Sequence, residues 1–305
     1  KRKIITLRPV KNVGLNMSRN GDHGQQMLFT KMHGIGNDYI YMHCPDGTPP
    51  FIEQLSIEMS RPHTGVGADG IILILPSEVA DFRMRIFNAD GSEARMCGNG
   101  SRCVAKYVHD YGLTDKSVIT LETLSGIKTL TLHPGPDGSV NSVTVDMGFP
   151  SLLCPEIPVN HTADRMIDSP VATSAGNLGL TAVSMGNPHG VVFLDSLDGF
   201  DVHGIGRELE THPMWPDRAN IEFAVVTAPG EITMRVWERG SGETMACGTG
   251  ACAVAVAAFT TGRAPRRCRI KLRGGDLDIE ITPQGNVLMT GPAATVFEGR
   301  YFLKD

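Results

Sequence analysis

MRIFNADGSEARMCGNGSRCVAKYV, residues 84–108, sets a cysteine between glycines at the head of a helical run. MRVWERGSGETMACGTGACAVAVAA, residues 234–258, repeats the device at an offset of 150. In that register Met84 meets Met234, Arg85 meets Arg235, Glu93 meets Glu243 and Cys97 meets Cys247. The same offset carries Gly36 and Asn37 onto Gly186 and Asn187, and the run from Gly70 onto the run from Asn220. Blocks this far apart keep one register only if the chain holds two copies of a half-length unit, a period far longer than that of solenoid repeats.

Each half reads mostly as short strands separated by Gly, Pro, Asp or Asn. IILIL, FRMRIF, SVITLET, KTLTL and VNSVTVDM in the first half are answered by LTAVSM, GVVFL, IEFAVV, EITMRVW, RCRIKLR and DLDIEIT in the second. The runs after Cys97 and Cys247 read as helices of about four turns that stop at a glycine. The second is apolar all round, which predicts a central helix wrapped by sheet. The expected fold is α+β: two pseudo-symmetric domains, each a mixed β-barrel closed around a central helix. The division expected is residues 27–145 plus 288–305 for the first domain and 146–287 for the second. Residues 1–26 read as an N-terminal extension or tag, and the closing stretch from Val287 as strand packed back on the first domain.

Net charge is −5, with 28 Lys and Arg against 33 Asp and Glu and no long basic run in the body, so no nucleic-acid partner is expected. No apolar stretch reaches the roughly 20 residues that cross a bilayer, so no membrane partner is expected. The seven cysteines contain no CxxC pair. An odd count of free thiols suits a reducing compartment and a cytoplasmic location. No metal site has the spacing of a ligand set.

A cysteine at a helix start meets the positive end of the helix dipole and unpaired N–H groups, both of which favour the thiolate. The flanking glycines let successive N–H groups face an anion, and a carboxylate is the natural guest. One such platform suggests a nucleophile or a redox thiol. Two, facing across a shared cleft, suggest that one thiolate takes an α-proton while the opposite thiol delivers one, inverting a stereocentre. Cys44, Cys103, Cys154, Cys252 and Cys268 read as small core residues.

MHGIGNDYI, HTGVGADGIILI, RIFNADGSEARMCGNGSRC, SMGNPHGVVF, RANIEFAVV and RVWERGSGETMACGTGACA together resemble the diaminopimelate epimerases. The resemblance runs from Met27 to the C-terminus. It implies the family's fold and a cofactor-independent interconversion of LL- and meso-diaminopimelate, in lysine and peptidoglycan precursor biosynthesis. It implies Cys97 and Cys247 as the acid/base pair. Gly98, Asn99, Gly248 and Thr249 would hold the reacting carboxylate. Asn37, Asn88, Asn187, Asn220, Glu238 and Arg239 would contact a substrate with two amino-acid ends: Arg239 forks onto the distal carboxylate and Glu238 accepts from an ammonium. Taken singly, Asn37 and Asn187 could equally be turn residues, and His189 reads as a supporting group. Gly70 stands where many members carry glutamine. The expected partner is a small-molecule substrate, with a homodimer as one option for the assembly. A proline or hydroxyproline racemase is the nearest rival, disfavoured by Asn99, Glu238 and Arg239. The phenazine-type isomerases lack the cysteine pair; an amino-acid binder would not need two low-pKa thiols, and a thiol redox sensor would respond to peroxide without α-proton exchange.

Overall fold

The computed structural model describes residues 26–303. Apart from Gln26, the expected extension over residues 1–26 lies outside the described residues. The first half opens with β1 (Gln26–Gly34), β2 (Asn37–His43), α1 (Ile52–Ser60), β3 (Gly70–Leu75) and β4 (Phe82–Asn88). It continues with β5 (Glu93–Ala94), α2 (Gly98–Asp110), β6 (Val118–Thr123), β7 (Gly126–Pro134) and β8 (Val140–Gly148).

The second half opens with β9 (Ser169–Thr173), β10 (Gly176–Ser184), β11 (Pro188–Phe193), α3 (Val202–Glu210) and β12 (Asn220–Ala228). It continues with β13 (Glu231–Glu238), β14 (Gly242–Glu243), α4 (Gly248–Thr260), β15 (Arg267–Leu272), β16 (Gly275–Ile281) and β17 (Val287–Pro292), before β18 (Ala294–Phe302) closes the described chain.

The 150-residue register survives in three dimensions. β1 and β10, α1 and α3, and α2 and α4 begin and end at matching positions. Each half pairs its strands the same way: β2 runs parallel to β3 as β11 does to β12, and β4 parallel to β6 as β13 does to β15. The halves join where β8 pairs with β17. β18 lies along β1, the place that β9 takes along β10.

Each sheet wraps one helix. α2 packs on β1, β2, β7 and β8, and α4 on β10, β11, β12, β15, β16 and β17. Residues 250–258 of α4 are all buried, as an apolar helix demands. One core cluster runs through both central helices, and a satellite cluster under α1 or α3 covers the outer face of each sheet. Both central helices end on a residue followed by a left-handed glycine, Gly112 at φ +70° and Gly262 at φ +73°, where a side chain would be strained. The small helices α1 and α3 are absent from the sequence reading. IEQLSIEMS and VHGIGRELE are only nine residues long, and two glycines interrupt the second.

Candidate active site

Both cysteines are N-caps. Cys97, at φ −140° and ψ 113°, and Cys247, at φ −128° and ψ 110°, hold extended backbone just ahead of α2 and α4. Each thiol takes the role that a Ser or Asp oxygen usually fills. Cys97 Sγ accepts from Gly100 N at 3.3 Å and Cys247 Sγ from Gly250 N at 3.4 Å. The third helical position must be glycine in both. A Cβ at Gly100 would lie 2.5 Å from Ile72 Cδ1, and one at Gly250 would lie 2.6 Å from Glu222 Oε1.

The two helix starts meet each other. The Met289 side chain packs against both Gly98 and Gly248, and Asn99 Oδ1 comes to 3.7 Å from the Cβ position of Gly248. Strand ends supply the rest. Asn37 and Asn187 follow the left-handed Gly36 and Gly186 in the turns between β1 and β2 and between β10 and β11. Both stand at turns, and their side chains reach toward the two helix starts.

In the first half, the Cys97 thiol donates to Asn37 Oδ1 at 3.3 Å, and Asn99 Nδ2 donates to the same oxygen at 3.4 Å. In the second, Asn187 Nδ2 donates to Thr249 Oγ1 at 3.5 Å, and that hydroxyl lies 3.5 Å from Cys247 Sγ. Asn220 Oδ1 accepts from Arg239 N at 2.9 Å. Glu238 accepts from Thr244 and hydrogen-bonds Cys247, and its charge is felt at Cys97 as well. That carboxylate therefore belongs to both thiols. The Arg239 side chain is exposed, with Nη1 on the Asp217 carbonyl at 3.0 Å. Asn88 Nδ2 donates to Ser92 Oγ at 3.0 Å.

Several polar groups here escaped the sequence reading. Arg102 is fully buried, its guanidinium on Asn99 Oδ1, Gly98 O and Pro292 O. Glu222 is fully buried in β12, with Oε1 2.7 Å from His189 Nδ1 and Oε2 without a hydrogen bond. His189 Nε2 lies 3.0 Å from Asn187 Oδ1. Glu222 carried a signal, being a lone carboxylate in the apolar run IEFAVV. Arg102 carried another, being the repeat partner of Cys252.

The expected lowering of the thiol pKa values is outweighed by burial. Desolvation pushes Cys97 up, against the pull of the Gly100 N–H and the Arg102 cation. Cys247 is pushed well up by burial and then by Glu238 and Glu222, with Thr249 and the Gly250 N–H opposing. Burial likewise raises Glu238, against its bonds from Thr244 and Cys247. All seven cysteines are free thiols. Among the described residues no cluster of His, Cys, Asp and Glu has the arrangement of a metal site, and no helix is long and apolar enough to cross a membrane.

Comparison with known proteins points one way. A sequence model of the diaminopimelate epimerase family matches residues 29–153 and 181–296. The diaminopimelate epimerase of Acetivibrio thermocellus is 51% identical over 280 residues, covering 92% of this chain and 100% of that protein. That of Methanococcus maripaludis is 49% identical, over 90% of this chain and 99% of its own length. Among solved structures, a hydroxyproline epimerase from Agrobacterium vitis superposes with a TM-score of 0.66 at 18% identity, over 92% of this chain and 93% of its own. A phenazine biosynthesis protein of the PhzF family from Bacillus anthracis gives 0.65 at 17% identity, over 91% of this chain and 99% of its own. At such identities the likeness is one of fold.

Proposed function

The chain belongs to the diaminopimelate epimerase family, and from that premise we propose that it interconverts LL- and meso-2,6-diaminopimelate by a two-thiol proton transfer, without a cofactor. The product feeds lysine and peptidoglycan precursor biosynthesis. The observation that carries the mechanism is the matched pair of N-cap cysteines on helices whose starts abut.

The reacting carboxylate lies across the two helix N-termini, held by N–H groups of Gly98, Asn99, Gly248 and Thr249. Those donors and the helix dipoles stabilise the charge that builds on the carboxylate as the α-proton leaves. One thiolate takes the α-proton, so a C–H bond breaks and an S–H bond forms. The other thiol gives its proton to the opposite face, so an S–H bond breaks and a C–H bond forms. Net charge is unchanged and the centre is inverted.

Glu238 receives the ammonium beside the reacting carbon. Asn37, Asn88, Asn187, Asn220 and Arg239 bind the remaining amino-acid ends. Arg239 must leave the Asp217 carbonyl to fork onto the distal carboxylate, which its exposed position supports. The two repeats act as domains divided at residues 27–145 with 288–305 and residues 146–287. We place the enzyme in the cytoplasm as a homodimer, a reading supported by the exposed Val296, Phe297 and Phe302 on the edge strand β18.

The test is proton NMR of LL-diaminopimelate in D₂O with the wild type, Cys97→Ala and Cys247→Ala. The α-proton signal is expected to vanish as the meso isomer appears with the wild type, and to persist with both variants. No exchange by the reduced wild type sinks the assignment, and exchange on proline or hydroxyproline instead replaces it with the racemase reading.

A further inference from the structure

Behind Cys97 runs a chain of hydrogen bonds with a charged group at each end. Arg102 Nη2 donates to Asn99 Oδ1 at 2.9 Å, and Asn99 Nδ2 donates to Asn37 Oδ1 at 3.4 Å. Asn37 Nδ2 then donates to Asp69 Oδ2 at 2.6 Å, and Asp38 N steadies the same carboxylate oxygen at 3.0 Å. A guanidinium can only donate and an ionised carboxylate can only accept. Asn99 must therefore turn its oxygen to Arg102, and Asn37 its nitrogen to Asp69. Reversing either amide leaves two donors or two acceptors face to face. Asn37 Oδ1, so fixed, has a second lone pair to offer, and the Cys97 sulfur lies 3.3 Å away. An acceptor there suits a protonated thiol and opposes a thiolate.

The second half holds its equivalent asparagine the other way round. Asn187 gives its oxygen to His189 Nε2 at 3.0 Å and its nitrogen to Thr249 Oγ1 at 3.5 Å. With its lone pair so engaged, the Thr249 hydroxyl has its proton free for Cys247 Sγ, which also receives the Gly250 N–H. Both sulfurs accept a helix N–H; what differs is the acceptor that each thiol faces, the fixed Asn37 amide oxygen at Cys97 and the Glu238 carboxylate at Cys247.

We propose that Asp69 is a positioning residue for the reaction: with Arg102 at the far end of the chain, it locks the Asn37 amide with its oxygen toward the sulfur, so that Cys97 waits protonated, as the proton donor of the pair. This rests on the two-thiol reading above. Other groups face the pair. Tyr39 from β2 hydrogen-bonds Asn37 and senses Cys97 and Asp69; Tyr41 from β2 and Cys103 from α2 lie near Cys97. Glu238 from β13, Glu222 from β12 and His189 from β11 surround Cys247. The carboxylate of Glu238 holds Cys247 protonated until a cation meets it. A substrate ammonium at Glu238 supplies that cation, so Cys247 ionises when there is a proton to take.

The measurement is partial alkylation of the full chain by iodoacetamide at neutral pH, with labelling of Cys97 and Cys247 quantified separately by mass spectrometry. In Asp69→Asn the residue at the end of the chain can donate as well as accept, so the 2.6 Å bond no longer fixes the Asn37 amide and only the long 3.4 Å bond from Asn99 opposes its turning an N–H to the sulfur; Cys97 labelling is expected to rise at least fivefold. Cys247 labelling should stay within twofold, and Asp69→Glu, which keeps an acceptor, should return Cys97 to near the wild-type rate. Thermal melting checks the fold, and Asp69→Ser serves should Asp69→Asn not fold. Cys97 labelling unchanged in the folded variant, or a joint rise at both cysteines, overturns the proposal. In turnover, the basic limb of the kcat/KM profile, which reports loss of the Cys97 proton, should move to lower pH in Asp69→Asn. Labelling reads the thiols whether or not the substrate turns over, so a failed clamp and a failed reaction assignment give different results.

Discussion

The two halves differ least where the backbone carries the chemistry and most in the polar groups behind it. α2 and α4 coincide in length, in their cysteine N-caps, in the glycine that receives each sulfur and in the left-handed glycine that ends each helix. Behind those platforms the residues part company. At the repeat offset of 150, Arg102 faces Cys252, Ile72 faces Glu222, Tyr39 faces His189, Asn99 faces Thr249 and Asn88 faces Glu238. Repetition supplies two sulfur sites related by a pseudo-twofold. Divergence gives the two sulfurs unlike electrostatic surroundings. A cation sits near Cys97, and two carboxylates sit near Cys247.

Removing either sulfur should have the largest effect. Cys97→Ser and Cys247→Ser, each measured by kcat/KM in both directions, are expected to lose at least about 1,000-fold, within the range for a misplaced general acid or base. Retention of activity in one variant alone would break the symmetry of roles.

The Asn88 and Glu238 positions come next, since equal places in the repeat carry unequal charge. Glu238→Gln should cost about 100-fold in kcat/KM through a lost charged hydrogen bond. Asn88→Ala should cost less, because it removes a neutral side chain whose hydrogen bond is to Ser92 and no charge. The variant also tests the electrostatics. With the carboxylate gone, the largest electrostatic force raising Cys247 after burial is gone, so its alkylation at fixed pH should quicken. A slower reaction at Cys247 would contradict the view that Glu238 holds that thiol protonated.

How legible all this was in the sequence follows from the same contrast. The platforms were readable because a glycine-flanked cysteine ahead of an apolar run is a local pattern, and because it occurs twice. The strands were readable for the same reason, as alternation and turn residues act over a few positions. The thiol environment was not. The dipole and N–H argument is local and points to a lowered pKa. The burial that overrides it comes from residues far along the chain: Met147 of β8 and Met289 of β17, which pack on Gly98 beside Cys97, stand 50 and 192 positions from that cysteine. The Asp69–Asn37–Asn99–Arg102 chain was hidden likewise, since each link joins turns and helices distant in sequence. α1 and α3 were missed because their burial on the sheet, rather than any propensity of their nine residues, makes them helical.

The glycines at the third helical position sharpen the comparison at smaller scale. Gly100→Ala drives a methyl against Ile72 Cδ1, and Gly250→Ala drives one against Glu222 Oε1. Each is expected to cost about 1–3 kcal/mol of stability, the usual range for overpacking. The relief should differ. Ile72→Val removes the clashing methyl and should recover most of the loss in Gly100→Ala. Glu222 is held by His189, so in Gly250→Ala the strain passes to that pair and on to Asn187. Thermal denaturation of the single and double variants measures both, and equal behaviour of the two halves would show that the polar network is free to yield.

The smallest difference lies in a pair of ion pairs that the repeat also duplicates. Arg85 Nε meets Glu93 at 2.7 Å, and Arg235 Nε meets Glu243 at 2.7 Å. The geometry is the same, but the Glu93 side chain is 29% exposed and that of Glu243 only 2%. Water screens the first pair, so Arg85→Leu should cost no more than about 1 kcal/mol. Arg235→Leu should cost more, about 1–2 kcal/mol, for it strips a partner from a buried carboxylate. The loss is moderated because Glu243 keeps Arg273 at 3.2 Å and His203 at 2.9 Å. Both carboxyls are held below their ordinary range, chiefly by their arginines. A depressed carboxyl stabilises the fold fully above its unfolded pKa of about 4.3 and loses that contribution as pH falls through the folded value. The gap in melting temperature between wild type and Arg235→Leu should therefore be widest near neutrality and close in acid. A gap that stays constant down to the lowest pH at which the chain is folded would mean that the arginine stabilises by packing its stem and not by its charge.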